Sequence, residues 1–160
     1  MTNRPVIDTL EFAKKEQTQD LELRSVDLVR LTDESTIVND IVTANITGGT
    51  QTDGKPFIDL KILSGLRLTC QRCLGLFDLQ INSNSRFIIA LRENELSEVS
   101  LEEQHVNTVL AEKELDLVDF VEEELLLALP MVPLHGEGKC ESPRLLDIET
   151  NPTNPFKRLK

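Results

Sequence analysis

Two stretches of alternating residues enclose the segment Cys70-Gln71-Arg72-Cys73, and this limits the fold more than anything else in the chain. Ile58, Leu60, Ile62, Leu66, Leu68 and Cys70 share one parity, while Asp59, Lys61, Arg67 and Thr69 share the other. A period of two with one apolar face belongs to a strand half-buried in a sheet. After Cys73 the alternation resumes: Phe77, Leu79, Ile81, Phe87, Ile89 and Leu91 stand against Asp78, Gln80, Asn82, Asn84, Arg86 and Arg92, with Ser83 and Ser85 diluting the middle. Two long strands flanking C-Q-R-C are therefore predicted, with Cys70 ending an apolar face.

The flanks add elements of both kinds. Asp8 followed by Glu11 has the spacing of a helix cap, predicting a short helix over 8–16; Leu21 and Leu23 alternate as in a strand, and Ser25 is placed to cap a second short helix through Leu28 and Leu31. Val38, Val42, Ala44 and Ile46 oppose Thr43, Asn45 and Thr47 in another strand, followed by a turn drawn from Gly48, Gly49, Asp53 and Gly54. Residues 93–114 carry many acids without a sustained apolar period and read as a solvated excursion. Asp116 and Asp119 open a longer helix with Leu117, Phe120, Val121, Leu125, Ala128 and Leu129 toward the core and Glu122 to Glu124 mostly outside; Pro130 stops it. The expected class is α+β: an antiparallel sheet, open or rolled toward a barrel, with short N-terminal helices and one long C-terminal helix. A single domain over 1–150 and an extended tail over 151–160 complete the expectation.

At 160 residues the chain can bury a core without a staple, and with neither Trp nor Tyr it must build that core from Leu, Ile and Val. A formal net charge of −11 repels phosphate and anionic lipid on average and favours basic proteins as partners. No apolar run approaches a membrane span and no secretory leader stands at the start, so the chain is expected in the cytoplasm, away from membranes. In that reducing setting its three cysteines are expected to be free or metal-bound.

Cys70 and Cys73 have the spacing of a metal knuckle, while His135 and Cys140 follow the long helix in a Gly-containing loop. Together they offer three thiolates and an imidazole, a closed tetrahedral set for one structural zinc that would pin the C-terminal loop to the hairpin tip. The plainer alternative makes Cys70 a buried small hydrophobe and the others ordinary loop residues. A redox role for C-Q-R-C fits less well, because that motif normally leads into a helix and here another strand follows. No nucleophile elbow, phosphate loop, H-E-x-x-H or dinucleotide fingerprint is present, and His105 stands in the acidic excursion, so no catalysis and no small-molecule substrate are expected.

C-Q-R-C followed by Leu74, L-A-L-P at 127–130, P-L-H at 133–135 with Cys140, and N-P-F at 154–156 with Leu159 give the chain a specific likeness. In these residues it resembles the YceD-like large ribosomal RNA subunit accumulation proteins. The resemblance implies a non-enzymatic role in the synthesis, processing or stability of 23S ribosomal RNA; the metal set rests on the spacing in this chain alone. Combined with the acidic charge, it points to binding of a large-subunit ribosomal protein or maturation factor. Direct contact with precursor rRNA is the competing version, using Arg67, Arg72, Arg86, Arg92, Phe156, Lys157, Arg158 and Lys160 as a local patch. Two other classes stay open: a zinc-stabilised adaptor unconnected with ribosomes, and a thiol redox protein.

Overall fold

The structure, a computed structural model, describes residues 4–34, 36–96 and 106–140. Along the chain come β1 (Val6–Ile7), α1 (Thr9–Lys14), β2 (Thr18–Leu23), a 3-10 turn (Ser25–Asp27), α2 (Val29–Glu34), β3 (Thr36–Thr50), β4 (Pro56–Thr69), β5 (Leu76–Ala90), α3 (Glu93–Leu96), β6 (Val106–Leu110), β7 (Leu115–Asp116) and α4 (Leu117–Ala128). This is the α+β class that was expected. The sheet is open and not a barrel: its five strands run β2-β3-β4-β5-β6, and the edge strands do not pair with each other. Nor is it wholly antiparallel, since β6 lies parallel to β5. The expected tail over 151–160 lies outside the described residues.

The β4–β5 hairpin is the frame. Ile58, Leu60, Ile62 and Leu66 of β4 are fully buried, each worth about 1.5–3 kcal/mol over exposure. On the opposite face Asp59 stands across from Arg86 and Arg67 across from Asp78. Both pairs lie symmetrically about the Arg72–Cys73 peptide, so charge pairing and apolar parity specify one register, and a slip by one residue would invert both. Each arginine grips its carboxylate with two N–H groups, Arg67 at 2.7 and 3.0 Å and Arg86 at 2.7 and 2.7 Å. Leu91, expected on the buried face, lies beyond the end of β5 and is exposed.

In β3, Val42, Ala44 and Ile46 are buried as expected, and a register shift between Ile37 and Val42 interrupts its ladder with β4; the side chain of Val38 lies outside the described set. Gly48 and Gly49, expected in the turn, instead close the strand. A Cβ on Gly48 would stand 2.5 Å from the Phe12 carbonyl oxygen, so glycine there lets α1 lie against the sheet. The turn itself is made at 51–55, where Gln51 N–H donates to Lys55 O at 2.8 Å and Gly54 takes φ +87°.

Residues 93–114 are not simply an excursion: they contain α3 and β6. The strand escapes pattern reading because only five residues pair, on one side alone. Residues 97–105, with His105, lie outside the described residues.

Core-forming residues of α1, α2 and α4 cover one sheet face. Asp8 caps α1 by accepting from Glu11 N–H at 3.0 Å, and Asp116 caps α4 by accepting from Val118 and Asp119. Ser25, by contrast, does not open the second helix. It lies in the 3-10 turn, and α2 follows Leu28, whose side chain has no acceptor to offer. Glu122 takes over that duty from α4, accepting from the amides of Arg30 at 2.7 Å and Leu31 at 3.1 Å. These are the N2 and N3 positions that a capping side chain normally satisfies. Glu122 is therefore buried and not outside as expected, and so is Glu124, which takes the hydroxyls of Ser83 at 2.8 Å and of Ser85. Only Glu123 of the three faces solvent. Among the described residues no helix is long and apolar enough to cross a membrane.

Candidate metal centre

The turn between β4 and β5 closes on itself. Cys70 N–H donates to Gly75 O and Leu74 N–H to Cys70 O, both at 2.9 Å, and Leu74 adopts the left-handed region at φ +59°. This tight knuckle holds Cys73 beside Cys70. The second half of the site arrives after α4. Pro130 ends the helix, the chain folds back so that Gln71 N–H donates to Pro133 O at 2.9 Å, and His135 N–H points at Cys70 Sγ from 3.4 Å. Phe77, the first inward residue of β5, lies 5.0 Å from the His135 ring, centroid to centroid. A turn through Gly138, at φ +73°, then brings Cys140 round to the same point.

The result is a single cluster: one donor atom from each of Cys70, Cys73, His135 and Cys140 lies within 4.8 Å of every other. All three cysteines are free. Tetrahedral bonds of about 2.3 Å to sulfur and about 2.0 Å to nitrogen require edges of roughly 3.8 Å between sulfurs and about 3.5 Å between sulfur and nitrogen. Cys70 and Cys140 Sγ stand 3.8 Å apart, and His135 Nδ1 stands 3.2 Å from Cys73 Sγ and 3.7 Å from Cys140 Sγ. These separations are close to the required edges and the remaining ones lie within 4.8 Å, so the donor set is compatible with a zinc ion. Four protein donors also leave no vacancy on a tetrahedral ion, which suits a structural and not a catalytic role.

The electrostatics agree with the donor chemistry. Burial pushes the Cys70 thiol up, but the backbone N–H groups of Cys73, His135 and Arg72, and the His135 side chain, more than offset it and bring it to about 5. Cys140 is pushed the other way by burial and by its hydrogen bonds and repulsion with the two neighbouring sulfurs. Cys70 is thus readily a thiolate, while a further negative charge at Cys140 in the same small volume calls for a cation to balance it. A redox thiol needs access as well as acidity; Cys70, the acidic one, is fully buried, and Cys73 is half-buried.

Among the described residues, Arg67, Arg72, Arg86 and Arg92 are spread along the β4–β5 hairpin. Arg67 and Arg86 are committed to Asp78 and Asp59, and Arg86 also lies over the Phe57 ring at 4.2 Å. Arg72 in the knuckle and Arg92 past Ala90 are exposed at opposite ends of β5, whose 15 residues span about 50 Å when extended. Phe156, Lys157, Arg158 and Lys160 lie outside the described residues. Sequence reading missed Glu122 and Glu124. The signal for Glu124 was present, however: Ser83 and Ser85 are hydroxyls at core-facing positions of β5, where a polar partner is needed.

Residues 58–156, more than half of the chain, match the family model described as large ribosomal RNA subunit accumulation protein YceD. The chain belongs to the YceD family. No solved structure matches it. The YceD match starts at the first fully buried residue of β4 and takes in the hairpin, the knuckle, α4 and all four candidate ligands; α1, β2, α2 and β3 precede it.

Proposed function

We propose that this YceD-family chain is a non-enzymatic assembly factor of the large ribosomal subunit, supporting the synthesis, processing or stability of 23S ribosomal RNA in the cytoplasm. In this reading it acts by holding a basic ribosomal protein or a maturation factor, and so protects or positions precursor RNA indirectly. The observation that carries the family role is the match over residues 58–156; the choice of a protein over RNA as direct partner rests on the charge of −11 and on the pairing of Arg67 and Arg86 within the sheet.

The same reading gives Cys70, Cys73, His135 and Cys140 one structural zinc. Bound there, zinc supplies a cross-link between the hairpin tip and the segment after α4, in place of the packed core that this loop-rich end lacks. Nothing in the reading needs a reaction centre.

Depletion of the protein tests the role: unprocessed large-subunit RNA should accumulate, and the tagged protein should co-sediment with large-subunit precursors on gradients. Normal ribosome profiles in cells without the protein would end this reading. Tight binding of purified protein to precursor rRNA alone, weakening steeply with salt, would replace the protein partner with RNA.

A further inference from the structure

Between α4, β5 and the end of β6 lies a cavity of about 160 Å³. It is smaller than the roughly 300–1,000 Å³ of small-molecule sites, so it has the size for a single side chain. Phe87 and Phe120 form part of its wall, their ring centroids 4.7 Å apart, with Val109 beside them and Leu127 exposed to 80% at the mouth. An apolar wall of this kind is common, but its charged members all carry one sign. Glu112, Glu123 and Glu124 line the cavity and no basic residue does. Glu123 leans toward Arg30 at 3.6 Å, whereas Glu112 has no ion pair among the described residues.

Glu124 is the telling residue. It is only 7% exposed, and both hydroxyls that reach it, from Ser83 and Ser85, go to Oε1. Oε2 meets no donor among the described residues. The second oxygen is not sealed in, since among the described residues Ser64 Oγ is the one fully buried polar side-chain atom without a partner; it stays open on the cavity side to a cationic donor whose apolar stem can lie against the aromatic wall. Lysine and arginine side chains have that construction, and the two phenyl rings add attraction for a cation over their faces.

We propose that this cavity receives a lysine or arginine side chain from a basic protein segment, its aliphatic stem against Phe87, Val109 and Leu127 and its charge on Glu124. The assignment rests on the reading of the chain as a holder of basic proteins and supplies the contact point for it. Because the cavity lies apart from the cysteine cluster, it should work with or without bound metal.

Methyl NMR of the full chain, titrated with a short synthetic peptide rich in lysine and arginine at low salt, tests this. The expected shifts concentrate at Val109, Leu110, Leu115 and Leu127. Glu124→Gln, which keeps shape and acceptor, should weaken binding about tenfold or more, and Leu127→Ala, which alters an exposed side chain and leaves the core intact, should weaken it measurably. Glu22→Gln, on the open face of β2, should change it less than about twofold. Equal loss from Glu124→Gln and Glu22→Gln would reduce the effect to general attraction by an acidic protein and overturn the proposal. So would shifts elsewhere, no binding, or an RNA oligonucleotide moving these methyls in place of the peptide. Normal co-sedimentation with precursors alongside a failed titration would remove the cavity assignment alone; a positive titration without any ribosomal phenotype would leave the cavity and remove the ribosomal role.

Discussion

Glu122→Ala examines how the two halves of the helical layer are joined. The carboxylate accepts two backbone amides at the start of α2 and the Arg30 Nε at 2.8 Å, and its side chain is 3% exposed. Truncation removes the cap of α2, worth about 1–2 kcal/mol, and with it the buried carboxylate to which the Leu31 amide donates, a further contribution of about 1–3 kcal/mol. The two overlap, so the expected loss is about 3 kcal/mol. For a chain of this length that lowers Tm by roughly 6–12 °C. Urea unfolding should show the midpoint falling with an unchanged slope. Glu122→Gln keeps an acceptor for the amides and should retain most of the stability, while Glu123→Ala, one position along and exposed, should cost less than about 0.5 kcal/mol. Equal stability of Glu122→Ala and Glu123→Ala would refute the capping argument.

Three further outcomes follow from single contacts. Ser64 faces the core between Ile62 and Leu66 with its Oγ unpartnered, so Ser64→Ala should match or exceed the parent by up to about 1 kcal/mol in urea melts; a loss larger than that would mean the hydroxyl is satisfied. Gly48→Ala drives a methyl into the backbone of Phe12 and should cost about 1–3 kcal/mol, although alanine elsewhere in a strand is normally tolerated; an unchanged melt would show that α1 is free to shift. Burial raises the Asp116 carboxyl, but Arg4 and the amides of Asp119 and Val118 outweigh it and hold the group below its ordinary value. Folded pKa below unfolded means stability that is present above the unfolded value near ~3.9 and lost as pH falls through the folded one. Asp116→Asn, still a good cap, should flatten the acid limb of a stability-against-pH curve, and an unaltered limb would count against the Arg4 pair.

What could be read before folding follows from where each signal lies. β4 and β5 were legible because apolar parity and opposite-face charges repeat over many residues and agree on one register. The four metal-site donors were legible as two short spacings, yet nothing in residues 74–134 shows how α4 returns the second pair to the first; that depends on Pro130 ending the helix above the sheet. Glu122 and Glu124 were hidden because three consecutive glutamates look solvated, and the groups that bury them lie far off in sequence, at Arg30, Leu31, Ser83 and Ser85. β6 was hidden because a short edge strand takes its identity from its neighbour. Gly48 and Gly49 read as turn residues, since pattern alone cannot tell a bend from the close approach of α1 at Gly48 and of the Phe57 ring at Gly49.

In the proposed centre the four donors at the hairpin tip act together on one metal ion. Metal analysis of protein purified without chelators measures this directly, run beside Cys73→Ser. One zinc per wild-type chain, lost in the variant, is the expected result; wild-type protein free of metal, with all three thiols open to alkylation, would refute the metal centre.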